Sequence, residues 1–152
     1  RHIHASYRRQ RQMFIRDRVT RGLKIFDKIF IAIGNNPKKD RYFNVNLIKE
    51  KIDNLYKDNS KINVINYNKL TASLAKDLNA NFILRGLRNT TDFEFENSIS
   101  QINKDLNSNL ETVFLITSPK LAPISSTIIR DVIRYGGDIN KYLPYKIKLD
   151  EK

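Results

Sequence analysis

Blocks of apolar residues recur along the chain, and their spacing switches between strand-like and helix-like. Ile29-Phe30-Ile31-Ala32-Ile33 is a continuous apolar run that predicts a strand buried on both faces. Before it, Val19, Leu23 and Phe26 give a short helical stripe ended by Asp27-Lys28. After it, Gly34-Asn35-Asn36-Pro37 break the run. Leu47, Ile48, Ile52 and Leu55 then mark one face of a helix, and Ile62 to Asn66 reads as a strand. Leu70, Leu74, Ala75 and Leu78 mark the next helix, and Phe82 to Leu84 the next strand. Phe95, Ile99, Ile102 and Leu106 recur at spacings of four, three and four, which predicts a helix with that stripe as its core face. Thr91 followed by Glu94 fits a capping box for its start. Thr112 to Thr117 is the last clear strand. Ile128, Ile129, Val132 and Ile133 give a final helical stripe stopped by Gly136-Gly137, and Tyr142-Leu143-Pro144 opens a short segment read as helical.

Strands and helices alternate four times. The pattern predicts an α/β domain: a parallel sheet with right-handed crossovers and helices on both faces. The first twenty residues break it. They hold six arginines, one aspartate and no lysine, whereas lysine outnumbers arginine sixteen to six from residue 21 onward. They contain no asparagine, although the remainder is rich in it. Ile3, Ala5 and Tyr7 alternate only weakly, so a frayed, solvated terminus is expected. Residues 13–19, MFIRDRV, resemble translated sequencing adapter, and residues 1–20 are read as an artefactual or disordered segment ahead of a single domain, 21–152. His2 and His4 stand at strand spacing, but no acidic or third ligand lies nearby to make a metal site.

The full chain of 152 residues is long enough for one domain with a substantial core. It has no cysteine, which removes disulfides and thiolate metal sites. No apolar stretch is long enough to cross a bilayer and no secretory signal is visible, so a soluble cytoplasmic protein is expected. The formal charge of +12 suggests a polyanionic partner. Its distribution weakens a nucleic-acid reading, because most Phe and Tyr fall on predicted core faces or in the acidic DFEFE stretch rather than among basic residues.

Three features fall at or just beyond predicted strand ends. Lys39 follows the Ile29–Ile33 run, Arg85 and Arg88 follow Leu84, and Ser125-Ser126-Thr127 precedes the last stripe. In parallel α/β sheets ligands sit at the carboxyl ends of strands, and helix N-termini favour anions. Arg presents a rigid fork of donors suited to phosphate oxygens. A hydroxyl triplet at a helix start adds side-chain donors to free backbone N–H groups. The competing explanations are salt bridges from the arginines to Asp92, Glu94 or Glu96, a solvated loop at Lys39, and simple capping by one hydroxyl. There is no P-loop, no GxGxxG after a strand and no nucleophile–base pair. Chemistry run by positioning and electrostatics fits best, and phosphoryl or nucleotidyl transfer is of that type.

RGLKIFDKIFIAIGNNPKK, RGLRNTTDFEFE, LETVFLITSP, ISSTIIRDVIRYGGDI and the following YLP resemble, in order and spacing, the blocks of the bacterial phosphopantetheine adenylyltransferase family. The resemblance begins near Arg21 and covers about 125 residues. It implies a Rossmann-like nucleotidyltransferase fold, usually a hexamer. It also implies adenylyl transfer from ATP to 4′-phosphopantetheine, giving dephospho-coenzyme A and pyrophosphate with Mg2+. By that resemblance Lys39 would contact the pantetheine phosphate and the transferring phosphoryl group. Thr71 would line the pantetheine site and Arg85 bind that substrate's phosphate end. Gly86, Leu87 and Arg88 would hold ATP, with Glu96 on its ribose or adenine side. Leu121, Ala122, Pro123, Ile124, Ser125, Ser126 and Thr127 would form the second ATP segment. Lys39 and Arg88 would be the catalytic pair, and no protein residue would be a dedicated metal ligand.

The sequence departs from the family at its start. The family opens with a strand and a GSFDPxTxGH-type motif. Counted back without gaps, its His position holds Ile15, the preceding Gly position Phe14, and the early Ser or Thr position Tyr7. The first strand is therefore expected to be doubtful or missing, and the activity impaired. The alternative is a non-catalytic nucleotide or coenzyme A binding protein of the same fold.

Overall fold

The computed structural model describes residues 2–6, 12–35, 44–118 and 131–139, with side chains described at 14–35, 44–118 and 131–139. Five strands form one parallel sheet: β1 (His2–Ser6), β2 (Ile29–Gly34), β3 (Ile62–Tyr67), β4 (Phe82–Leu87) and β5 (Glu111–Ile116). The helices between them are α1 (Gln12–Gly22), α2 (Val45–Tyr56), α3 (Thr71–Asp77) and α4 (Thr90–Leu106). Residues 131–134 are also helical. The α/β architecture expected from the sequence is the one found.

The strand order is β3-β2-β1-β4-β5. The chain winds outward from β1 through β2 and β3, then returns to β1's other side for β4 and β5. β1 and β4 therefore flank the topological switch point, where ligands bind in open parallel sheets. Pairing of β2 with β1 runs to Ser6↔Ile33, and pairing of β4 with β5 runs to Leu87↔Ile116. The β1–β4 register, by contrast, stops at Ile3↔Ile83. The carboxyl halves of these two strands are thus not laddered together, which leaves the sheet open on the side where a ligand would enter.

The first strand, expected to be doubtful or missing, is present and central. Its weak alternation was a poor guide because a strand flanked on both sides needs backbone pairing more than an amphipathic pattern. β2 is buried along its whole length, as its apolar run requires. Its odd positions, Ile29, Ile31 and Ile33, pack with Ile15 and Val19 of α1, Ile52 of α2, and Ile62 and Val64 of β3. Phe30 and Ala32 face the other way, into Ala72, Leu74 and Ala75 of α3 and Ile83 of β4. Each side of the sheet thus has its own helices and its own core. Burying one such isoleucine contributes about 1.5–3 kcal/mol.

Local signals set the boundaries. Asn44 caps α2 by accepting the N–H of Asn46 at 2.8 Å. Asn79, at φ 50°, ends α3, with Asn79 and Ala80 N–H groups closing on the carbonyls of Lys76 and Ala75. Gly136, at φ 74°, does the same after residue 134: its N–H meets Ile133 O and that of Gly137 meets Val132 O. The glycine stop expected there is realised, whereas Ile128, Ile129 and the Tyr142-Leu143-Pro144 segment lie outside the described residues.

Two expectations are corrected. α4 is capped by Asn89, whose Oδ1 accepts the N–H of Asp92 at 2.8 Å, and not by Thr91 with Glu94. Asn is the stronger capper and its extended backbone places it outside the helix, so Thr91 falls within the first turn. The α4 stripe also faces outward: Phe95, Ile102 and Leu106 are 62%, 60% and 54% exposed, while Glu96 and Asn103 are buried against the sheet.

Candidate functional site

β4 runs three residues further than its apolar core, because β5 continues to pair with it. Arg85 lies opposite Phe114, Gly86 opposite Leu115 and Leu87 opposite Ile116. Arg85 is therefore a strand residue and not a loop residue. It is only 8% exposed, on the α4 side of the sheet, and forms an ion pair with Glu96 of α4, Nε to Oε2 at 3.3 Å. Glu96 is 5% exposed. Burying either charge alone would be costly, and the pair offsets that cost by placing opposite charges together. The arginine anticipated as a free cation is thus held by a carboxylate from the next helix, one of the three acidic partners anticipated for it.

Arg88 sits just beyond the strand, half-buried. Its Nε donates to Asp92 Oδ2 at 2.8 Å and its Nη2 to Asp92 Oδ1 at 2.9 Å. The Arg88 backbone N–H donates to the same Asp92 Oδ2 at 3.1 Å. This two-point pair fixes the guanidinium plane, with Nη1 left outside the fork. The Asp92 hydrogen bonds hold the Arg88 pKa above its ordinary value, against partial desolvation. Asp92 also occupies the first turn of α4, where a carboxylate favours the helix dipole. One residue therefore orients the cation, starts the helix and ties the β4–α4 junction together.

Thr71 opens α3, just past the carboxyl end of β3, and its Oγ1 lies 3.1 Å from the Tyr67 hydroxyl. It shares the carboxyl rim of the sheet with Arg85 and Arg88. Three strand spacings separate β3 from β4, roughly 14 Å, so only an extended ligand could touch both. Lys39 and Leu121, Ala122, Pro123, Ile124, Ser125, Ser126 and Thr127 lie outside the described residues. Ile15 is in the core beside β2, a position without chemistry.

Sequence reasoning missed what α1 contributes. Asp17 accepts a hydrogen bond from Ser118 Oγ at 3.0 Å and pairs with Arg21 at 3.2 Å. Arg21 donates to the Ile116 carbonyl at 2.7 Å. α1 is thereby fastened to the carboxyl end of β5. Arg18, 3% exposed, lies against Gly86. The i, i+4 spacing of Asp17 and Arg21 was visible, but their long-range partners were not.

Among the described residues, no group of three or more His, Cys, Asp or Glu side chains is placed to hold a metal ion. None of the described helices is long and apolar enough to cross a membrane. A cavity of about 560 Å3 lined by Phe30, Tyr56, Lys57 and Asn63 lies on the β3 edge, starting from the amino halves of β2 and β3, and is separate from the carboxyl rim. The rim itself carries two oriented arginines at the switch point. Oriented cations of this kind are chemically suited to phosphate groups and to charge developing on them.

This is the layout of a nucleotidyltransferase, and the cytidylyltransferase-like family model matches residues 17–132. Three proteins named phosphopantetheine adenylyltransferase are similar over most of the chain. That of Cytophaga hutchinsonii is 55% identical over 131 residues, covering 86% of this chain and 87% of its own length. Those of Flavobacterium johnsoniae and Bacteroides thetaiotaomicron are 46% and 42% identical, each aligned over 87% of its own length. The chain belongs to the phosphopantetheine adenylyltransferase family.

Proposed function

We propose that this chain transfers the adenylyl group of ATP to 4′-phosphopantetheine, releasing pyrophosphate and forming dephospho-coenzyme A. The observation that carries the reading is the placement of the family-matching segment Arg85–Arg88 at the open switch point of the sheet. A phosphate oxygen of 4′-phosphopantetheine attacks the α-phosphorus of ATP. The bond from that phosphorus to the bridging oxygen breaks, and pyrophosphate leaves with the electron pair. Arg88, with its plane fixed by Asp92, directs Nη1 at the nucleotide phosphates. Gly86 and Leu87 shape the backbone beneath them. Arg85 meets the second substrate's phosphate end, held in place by Glu96, and Thr71 lies along the pantetheine arm. Lys39 shares catalysis with Arg88, and Leu121 to Thr127 supply the second ATP-binding segment. Mg2+ would enter with ATP and would supply further neutralisation of phosphate charge, while Asp92 and Glu96 hold the two arginines.

The absence of the GSFDPxTxGH-type motif from residues 1–20 is proposed to lower the rate. Loss of one preorganised donor costs about 10²–10³ in turnover, and a whole motif costs more. The chain is further proposed to form a homo-oligomer in the cytoplasm. The exposed Phe95, Ile102 and Leu106 stripe supports assembly.

Pyrophosphate release from MgATP, with and without 4′-phosphopantetheine, is the decisive assay. Release that depends on the second substrate, slower than from a chain carrying the GSFDPxTxGH-type start, is the expected outcome. Saturable ATP binding with no release from this chain favours the non-catalytic alternative. No release from either chain overturns the proposed reaction.

A further inference from the structure

We infer that Tyr67 is a positioning residue for the second substrate: its hydroxyl aims the Thr71 hydroxyl at a carbonyl oxygen of that substrate's amide-bearing arm. This rests on the reading that 4′-phosphopantetheine binds along the carboxyl rim beside Thr71. Three observations carry it. Tyr67 is the last residue of β3 and Thr71 the first of α3, and their hydroxyls lie 3.1 Å apart across the turn between them. The Tyr67 side chain packs against the core that includes Phe30, Ala72, Leu74 and Ala75, and its carbonyl accepts the Asn35 N–H at 2.6 Å. The residue that holds Thr71 is therefore itself anchored by side chain and backbone. Leu70, immediately before Thr71, is 62% exposed and adds apolar surface next to the hydroxyls.

Each hydroxyl has one O–H to donate and lone pairs to accept with, so a bond between them uses one proton and leaves the other. Among the described residues neither hydroxyl makes a second hydrogen bond. With Tyr67 donating to Thr71 Oγ1, the Thr71 proton is the one left for a ligand. A hydroxyl that already accepts a hydrogen bond is polarised and donates more strongly. An amide carbonyl is the matching acceptor, and the neighbouring leucine suits the methylene and methyl groups that separate the amides of the arm. Both hydroxyls are neutral, so the pair reads the arm and not the phosphate. ATP held at β4, three strand spacings or roughly 14 Å away, is beyond its reach.

The test is calorimetry on the full chain, with 4′-phosphopantetheine and, separately, ATP titrated into the wild type, Tyr67→Phe, Thr71→Val, Thr71→Ser and the Tyr67→Phe/Thr71→Val double variant. Thermal unfolding of each is recorded alongside. Thr71→Val should weaken 4′-phosphopantetheine binding about five- to tenfold, because the hydrogen bond to the arm is lost. Tyr67→Phe should weaken it about threefold, because the donor remains but is no longer aimed or polarised. Thr71→Ser, which keeps the hydroxyl, should stay within about twofold. The double variant should match Thr71→Val, since Tyr67 has nothing left to aim. ATP affinity should not change in any of them. Unchanged 4′-phosphopantetheine affinity in Thr71→Val overturns the inference, as does an equal loss for ATP, which would mark a packing role. A Tyr67→Phe loss that is as large in the Thr71→Val background as in the wild type overturns it too. Should Thr71→Val fail to fold, the other single variants decide: a selective loss in Tyr67→Phe with retained affinity in Thr71→Ser supports the role, and any other pattern overturns it. A wild type that does not bind 4′-phosphopantetheine overturns the reading of the second substrate itself, and the role of Tyr67 falls with it.

Discussion

The two faces of α4 are reversed relative to an ordinary amphipathic helix. The inner face buries Glu96 and Asn103 against the sheet, while the outer face exposes Phe95, Ile102 and Leu106. The usual rule places apolar residues inside because burying them removes apolar surface from water. Here the inner face has another task. Arg85 points into it from β4, and a buried guanidinium needs a carboxylate more than it needs a leucine. A polar site at the end of a strand thus dictates the composition of the helix that covers it. The displaced apolar stripe then needs a partner of its own.

The comparison can be broken most forcefully from inside. Glu96→Ala removes the carboxylate facing buried Arg85 and should destabilise the fold by about 3–5 kcal/mol, read as a lower urea midpoint. A change below about 1 kcal/mol would mean the inner face does not depend on that charge pair. From outside, Ile102→Asp should alter the stability of the isolated chain by less than about 0.5 kcal/mol. It should nevertheless lower the mass seen by light scattering, if the stripe is covered in an assembly. A full-sized assembly from this variant would remove the stripe from the interface.

The smallest effect sharpens the contrast between buried polar groups with and without partners. The Tyr56 hydroxyl is buried with no hydrogen-bond partner among the described residues, and burial pushes its pKa up to about 12 from 10.0. The folded chain therefore keeps a proton that the unfolded chain releases between those values. Stability from this group is complete below the unfolded pKa and is lost as pH rises through the folded one. Tyr56→Phe should cost nothing at neutral pH and should flatten the loss of stability between about pH 10 and about pH 12. A marked loss at neutral pH would reveal a partner for the hydroxyl.

Periodicity alone revealed most of the fold. The fully buried β2 run, the four alternations and the Gly136 stop could be read because each depends on residues close in sequence. Two features could not. β1 has little pattern of its own and exists through pairing with β2 and β4, many residues away. The orientation of α4 was hidden because period marks a stripe but not the direction it faces. Arg85 and Arg88 were visible as a motif, and their different fates became clear only with Glu96 and Asp92 in place; Arg88 took the nearer acid and Arg85 the one on the second turn.

The position of β1 also bears on synthesis. The central strand precedes the other described strands in the chain, and its two neighbours arrive at different times. β2 emerges soon after, but the partner for the opposite edge begins at Phe82. A growing chain that has not yet reached that residue can pair β1 only with β2. Its other edge then presents unpaired N–H and C=O groups, the surface that templates association between chains. Until β4 emerges, the strand at the middle of the finished sheet is an outer strand, and its protection depends on how quickly the ribosome delivers β4.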